Sequence, residues 1–280
     1  MILSSSVSTT TALALAGLAL LAYGLAALFP GRSGDLAHDS GGSAVRLPAL
    51  ALAVGVAAHT LWLMLDIGSV GSERSGVRLG FAPVASLTMC LTLIVHTIES
   101  RFVQLPSVRR ALGWAGALSV ALAVAFPGEV RTLGSPWAPV HWLLGVAAYG
   151  LFGVAVLHAM LLDGADRRLR LRKGPPHGVQ GLPLLQLERL TYLFVQAGFL
   201  VLTAAIVLGI VTAPRWRWDH KTVLSLIGWG IFAALLLGRH VRGWRGRQAT
   251  RWLYAGTLVL LLAYVGSRFV LEVLLGRSAA

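Results

Sequence analysis

Charged residues are scarce in this chain of 280 residues. Asp, Glu, Lys and Arg together make up 12% of it, about half of the share found in an ordinary soluble domain. Hydrophobic residues make up 56%, and the mean hydropathy is +0.74. This composition excludes a water-soluble globular protein and is typical of a chain that lies mostly within a membrane.

Cysteine and the common catalytic motifs are also nearly absent. The single Cys90 lies in an apolar run, so the chain has no disulfide framework, no CxxC thiol pair and no CxxCH motif. No phosphate-binding loop, dinucleotide fingerprint, HExxH motif, nucleophile elbow or pair of carboxylates is found. We therefore expect a protein that is not an enzyme.

Long apolar runs dominate the sequence instead. They lie near residues 8–29, 48–66, 79–98, 108–126, 139–162, 188–213, 223–238 and 249–274. A spanning helix needs about 20 mostly apolar residues, and lipid cannot satisfy free backbone groups. Because the runs do not alternate as strands would, they predict an all-α polytopic bundle of eight transmembrane helices. We expect residues 1–280 to form a single integral membrane domain.

Basic residues predict the orientation in a bacterial inner membrane. Of the 24 Lys and Arg residues, 16 lie in segments 30–47, 99–110, 163–189 and 239–251. The positive-inside rule places these segments in the cytoplasm and both termini on the non-cytoplasmic, outer side. The rule also accounts for the net charge of +13, so we expect attraction of these loops to anionic lipid and no binding of nucleic acid.

Three histidines lie towards the predicted outer side: His59, His141 and His220. An ionisable side chain within a span is costly and often functional, which makes His59 a candidate ligand. The alternative is a neutral imidazole that forms a hydrogen bond with a neighbouring helix. His141 opens the fifth run beside Trp137 and Trp142, where an interfacial aromatic belt is the alternative interpretation.

The predicted outer loop before the seventh run is rich in tryptophan. Pro214 ends the sixth helix and Asp219 is placed to cap the seventh, so Trp216 and Trp218 lie on a tight link. Flat indole rings suit a flat macrocycle, although an aromatic belt would also place them here. Three neighbours could pair with carboxylates such as haem propionates: Arg217, His220 and Lys221.

Several short motifs in this region carry a resemblance to a known family. They are Trp218-Asp219-x-Lys221, Leu226-Ile227-x-Trp229, Gly-Trp-Arg-Gly-Arg at 243–247 and Ala263-Tyr264-x-Gly266-Ser267-Arg268-Phe269. Together with the His141 helix, they resemble the cytochrome c assembly transmembrane family, which includes CcsA, CcmC and HemX-like proteins. The resemblance is strongest over 139–275, and within the family the chain is most similar to the YpjD-type inner-membrane proteins.

The resemblance implies a role in cytochrome c assembly or haem handling, with other assembly or membrane proteins as possible partners. It implies non-covalent, b-type haem at the outer face, with the tryptophan-rich loop as a shelf and His141 as an axial ligand to iron. The predicted cofactor site consists of His141, His59, Trp216, Trp218, Asp219 and His220, with His141 and His59 as the iron ligands.

The chain departs from the family pattern at two places. His220 stands where the haem-handling branches have a proline, and no histidine follows His240. The last span offers Tyr264, Arg268 and Glu272 instead, so a second histidine ligand would have to be His59 or His220.

Two other functions stay open from the sequence. The haem-handling branches have a longer loop that is richer in tryptophan. A non-haem accessory or assembly factor for another membrane complex would fit the shorter loop of this chain and its missing terminal histidine. A small transporter is a third possibility, but the near absence of charged residues in mid-span argues against it.

Overall fold

The structure is a computed structural model that describes residues 2–29, 46–67, 77–99, 106–131, 136–171, 184–212 and 218–276. Eight helices within these ranges are long and apolar enough to span a membrane, which confirms the predicted all-α fold. The helices are α1 (Ile2–Leu28), α2 (Arg46–Ile67), α3 (Phe81–Glu99), α4 (Pro106–Ala125), α5 (Ala138–Arg170), α6 (Leu184–Thr212), α7 (His220–Arg242) and α8 (Gly246–Leu261).

Helix α5 is longer than its apolar run. It has 33 residues, whereas about 20 suffice to cross the hydrocarbon core. Its last turns carry an ion pair between Asp166 and Arg170, one turn apart, with 2.9 Å between Oδ2 and Nε. Such pairs support a helix that has left the apolar environment, so α5 continues into the predicted cytoplasmic segment.

Two short strands accompany the helices and were not predicted from the sequence. Strand β1 (Val77–Leu79) precedes α3 and pairs antiparallel with β2 (Glu129–Arg131), which follows α4. Arg78 of β1 donates to Asp66 near the end of α2, with 2.5 Å between Nη1 and Oδ1. The pairing of the two strands places the residues just before α3 and the segment after α4 at the same end of these helices.

Contacts within the chain define two compact units. The first unit contains α1 to α4 with the two strands, and the second contains α5 to the end of the last helix. The single membrane domain expected from the sequence stays a prediction.

The first unit is centred on the ring of Tyr23. Helix α1 packs against α2 and α4, and α3 packs against both α2 and α4. A Cβ atom at Gly55 or Gly116 would lie 2.7 Å or 3.0 Å from the Tyr23 ring, so both positions require glycine. Small residues let membrane helices approach closely, as they do here.

The second unit is centred on two stacked aromatic rings. Phe152 of α5 and Phe232 of α7 stack with 3.8 Å between ring centroids and an angle of 8° between the planes. Gly198 of α6 and Gly256 of α8 leave room for them, since a Cβ atom at either position would lie 2.9 Å from a phenylalanine ring. Helices α5, α6, α7 and α8 meet around this pair.

The last span, Gly246–Leu274, is not a uniform α-helix. After α8 it widens into a π-helical segment, Leu262–Gly266, returns to α-helix over Ser267–Phe269, and widens again over Val270–Leu274. π-Helical turns are rare in proteins, and those that do occur are often found at functional sites.

Candidate functional site

His141 lies near the start of α5 and its side chain is partly buried. Its Nδ1 atom lies 2.9 Å from the carbonyl oxygen of Ala205 in α6. A carbonyl oxygen can only accept, so Nδ1 carries the hydrogen and donates it. In the neutral ring, the lone pair is therefore on Nε2, and metal-binding histidines commonly have their other ring nitrogen bonded in this way.

Gly209 provides the space that the imidazole of His141 occupies. A Cβ atom at position 209 would lie 2.9 Å from Cε1 and 3.3 Å from Nδ1 of the His141 ring. Gly209 is one helical turn after Ala205. Within one turn of α6, the carbonyl of Ala205 accepts the hydrogen bond from the ring and Gly209 leaves space for it.

Lys221, in the first turn of α7, has its charge near both His141 and the last span. It interacts electrostatically with His141, and its Nζ atom lies 5.4 Å from the centroid of the Tyr264 ring. The Cζ atom of Arg268 lies 5.8 Å from the same centroid, and Arg268 pairs with Glu272 at 3.9 Å. We call this group the His141 end of the second unit: His141, Gly209, Lys221, Tyr264, Arg268 and Glu272.

Trp218 and Asp219 form the entry to α7, as predicted. The Trp218 side chain is 72% exposed, which leaves much of the indole surface accessible. Asp219 caps the helix, since its Oδ1 atom accepts from the backbone N–H of Thr222 at 2.8 Å. His220 is the first residue of α7 and is exposed. Trp216 and Arg217 lie outside the described residues.

Trp142 follows His141 and has a buried indole N–H. Within the described part of the chain, its Nε1 atom has no hydrogen-bond acceptor. Buried donors are nearly always satisfied, so an acceptor outside the described residues would stabilise this position.

His59 lies in the first unit and is fully buried. Its Nδ1 atom is 3.0 Å from the hydroxyl of Tyr23, and its Nε2 atom is 2.8 Å from the hydroxyl of Ser86. As placed, His59 has no ring nitrogen available for iron, and ligation would require the loss of one of these bonds. The arrangement is that of the alternative interpretation, a neutral imidazole bonded to neighbouring helices.

Two of the motif residues that carry the family resemblance have structural roles. Trp229 of α7 donates its indole N–H to Thr203 of α6 at 2.9 Å. Trp244 follows Gly243, the left-handed residue that ends α7, and its carbonyl accepts from Tyr192 at 3.0 Å. These contacts join α6 to α7 and to the residues that follow α7.

No group of three or more His, Cys, Asp or Glu side chains suited to a bare metal ion occurs among the residues that the structure describes. His158, further along α5, donates from Nδ1 to its own helix at Val154 and stacks on Phe194. Its ring is thus held inside the second unit, away from the His141 end.

The fold and the site define a multi-pass helical membrane protein with a partly buried, hydrogen-bonded histidine at one end of its second unit. The sequence profile described as Cytochrome C assembly protein matches residues 45–275. The chain belongs to the cytochrome c assembly protein family, as the resemblance predicted.

Two relatives illustrate its place in that family. The inner membrane protein YpjD of Escherichia coli (strain K12) is 30% identical, over 92% of this chain and 97% of the relative. The cytochrome c biogenesis protein CcsA of Prochlorococcus marinus is 28% identical, over 66% of this chain and 69% of the relative. The predicted location in the inner membrane is confirmed by this relationship and by the eight helices described above. No solved structure matches the chain.

Proposed function

We propose that this protein binds b-type haem non-covalently at the His141 end and handles it during cytochrome c assembly, without turning over a substrate itself. The observation that carries the proposal is the hydrogen bond from Nδ1 of His141 to Ala205, which leaves the lone pair on Nε2. An imidazole of this tautomer is a common axial ligand to haem iron.

Residues of the His141 end, together with Trp142 and Trp218, are of the types that bind a haem group. His141 supplies the nitrogen, and the exposed indole of Trp218 on its capped link offers a flat apolar surface. Lys221 and Arg268 are cations suited to the propionates, and the buried N–H of Trp142 lacks an acceptor in the described chain. Bound haem would supply a redox-active iron.

The proposal places the His141 end at the outer face of the inner membrane. That placement follows from the distribution of basic residues and agrees with the relationship to CcsA, which is named as a cytochrome c biogenesis protein. Other cytochrome c assembly components are the partners that this role requires. The basic residues at the opposite ends of the helices would attract anionic lipid.

The second candidate function is that of a non-haem accessory factor for another membrane complex. The observation that favours it is the state of His59, whose two ring nitrogens are both engaged by Tyr23 and Ser86. His59 as placed is therefore not the second histidine that the family resemblance implies, and the exposed His220 at the start of α7 is the other histidine that the sequence offers.

The absorption spectrum of the purified protein tests the proposal. The full chain, purified in detergent from haem-replete cells, should show a Soret band, and His141→Ala should lose most of it. His240→Ala is the matched control, because His240 is an exposed histidine in the last turn of α7 and should keep the band.

Three results would argue against haem binding at His141. They are the absence of a Soret band in the wild type, an unchanged band in His141→Ala, and an equal loss in His240→Ala. Stable copurification with a membrane partner that is unaffected by His141→Ala would support the accessory function.

A further inference from the structure

Arg109, the fourth residue of α4, is a buried arginine in the first unit. It is only 7% exposed, and its Nε and Nη2 atoms have no hydrogen-bond acceptor among the residues that the structure describes. Arginine keeps its charge in proteins, and charged side chains are rarely buried unless they are paired. A negatively charged acceptor would therefore stabilise this guanidinium.

The next residue, Arg110, is in a different state. It is exposed, and its Nε atom donates to the carbonyl oxygen of Ala27 in the last turn of α1, at 3.2 Å. The last carbonyls of a helix have no partner within their own helix, so Arg110 has a structural role at the end of α1. The two neighbouring arginines carry the same charge, and their different surroundings allow one to serve as a control for the other.

The position of Arg109 is suited to the phosphate of a lipid headgroup. It is the second residue of the span Val108–Ala125, so it lies at the boundary between the apolar core of the membrane and the headgroups. Side chains on an α-helix lean towards its N-terminus, and long basic side chains at the end of a span extend towards the headgroups. The first backbone N–H groups of a helix have no partner within it and favour an anion at the same place.

We propose that Arg109 and the first turn of α4 bind the phosphate group of one anionic phospholipid, at a site that is independent of the haem proposed above. The guanidinium of Arg109 donates to the phosphate oxygens, and the N-terminus of α4 adds its backbone N–H groups. Segments 30–47 and 99–110, at this end of the first unit, contain five arginines and three acidic residues. This excess of positive charge favours a headgroup with a net negative charge, such as phosphatidylglycerol, over one that carries an ammonium group.

Two other partners for Arg109 make different predictions. A carboxylate of segment 30–47 would form an ion pair within the chain, and the acidic residues of that segment, Asp35 and Asp39, lie outside the described residues. Free phosphate would offer the same oxygens as the headgroup without the acyl chains.

The test uses the full-length protein in detergent with equal amounts of phosphatidylglycerol and phosphatidylcholine. Native mass spectrometry counts the lipids that remain bound, and thermal unfolding is measured with each lipid alone. The wild type should retain one phosphatidylglycerol and unfold at a higher temperature with that lipid than with phosphatidylcholine. Arg109→Gln should lose both effects, and the control Arg110→Gln, which removes the same charge, should keep both.

A lysine keeps the charge but not the planar fork of donors, so Arg109→Lys should retain less phosphatidylglycerol than the wild type. Arg110→Lys should retain as much as the wild type. This second pair decides the question if Arg109→Gln does not fold, because equal retention by the two lysine variants would overturn the site.

Loss of the lipid in Arg109→Gln but not in Arg110→Gln supports the inference. Equal loss in both variants, or a wild type without preference for phosphatidylglycerol, shows a general attraction of basic residues to lipid and overturns it. Stabilisation by inorganic phosphate at matched ionic strength without retention of phosphatidylglycerol also overturns it. Retention that appears only when Asp35→Asn and Asp39→Asn are combined would show an ion pair within the chain and would contradict a lipid site in the native protein.

Discussion

The space beside the His141 imidazole is set by a single hydrogen atom at position 209. Any larger side chain there brings a Cβ atom to 2.9 Å from the ring, closer than real contacts of this kind allow. The ring would have to turn or α6 would have to move, and in either case the bond from Nδ1 to Ala205 is disturbed. That bond fixes the tautomer and the orientation of the ring. The size of residue 209 therefore influences the direction in which Nε2 of His141 points.

Gly209→Ala should therefore weaken haem binding by about 10- to 100-fold, the usual cost of disturbing a group that orients a metal ligand. Haem titration of the purified protein, followed at the Soret band, measures the change. Gly145→Ala is the control, because a Cβ atom at Gly145 on α5 meets nothing within 4 Å. Equal affinity of Gly209→Ala and wild type would contradict the orienting role of the Ala205 bond.

The sequence identifies His141 and His59 as the same type of residue in similar apolar surroundings. What separates them is the set of hydrogen-bond partners, one backbone carbonyl for His141 and two hydroxyls for His59. Those partners are 64, 36 and 27 residues away in the chain. The pattern of residues around a histidine does not show which distant residues it will contact. The sequence therefore could not show that the two imidazoles have different hydrogen-bond partners.

Helix α7 carries Lys221, and its start depends on Asp219, which follows the exposed Trp218. Partial burial raises the pKa of the Asp219 carboxyl, but the hydrogen bonds with Thr222 and the charges of Lys221 and His220 outweigh it and hold the pKa below its usual value. A carboxyl with a lowered pKa in the folded state stabilises the fold above its unfolded pKa of about 4. The contribution is lost as the pH falls through the folded-state value.

Asp219→Ala should lower the free energy of unfolding by about 1 kcal/mol, the typical cost of an N-cap residue. Asp219→Asn is the control, because asparagine caps a helix about as well and does not titrate. Thermal unfolding in detergent at neutral pH measures both variants, and a second series below pH 4 should bring the wild type closer to Asp219→Ala. Unfolding of Asp219→Ala at the wild-type temperature would show that the cap has no energetic role.

The sequence predicts elements best where one physical constraint dominates. The eight spans follow from the length of apolar runs, and the Asp219 cap follows from its position before α7. The pairing of β1 with β2 is a contact between segments about 50 residues apart, which no local pattern specifies. The π-helical segments of the last span were not predicted either, because apolar runs of this kind show no period from which a wider turn can be recognised.

The orientation of the whole molecule in the membrane decides whether the proposed function is possible, because that function requires the His141 end to lie on the outer side. Basic residues predict that the segment after α5 is cytoplasmic and that the segment after α4 is outside. Leu171 and Val130 lie in these two segments and are exposed. They offer positions at which the orientation can be measured.

In a Cys90→Ser background, Val130→Cys should react with a membrane-impermeant thiol reagent in intact spheroplasts. Leu171→Cys should react only after the membrane is permeabilised. The Cys90 thiol is buried, and its removal leaves the introduced cysteine as the one thiol that the reagent can label. The reverse pattern of labelling would place the His141 end in the cytoplasm and would contradict a role in outer-face haem handling.

The central claim is that haem iron is held by the ring nitrogen of residue 141, and chemical rescue tests it most directly. His141→Gly, purified with haem in detergent, should have a weak Soret band that free imidazole restores, because imidazole can occupy the space left by the side chain and donate the same electron pair. The same addition should leave His240→Gly unchanged. A His141→Gly variant that binds haem fully without imidazole, or that binds none at any imidazole concentration while remaining folded, would contradict the claim.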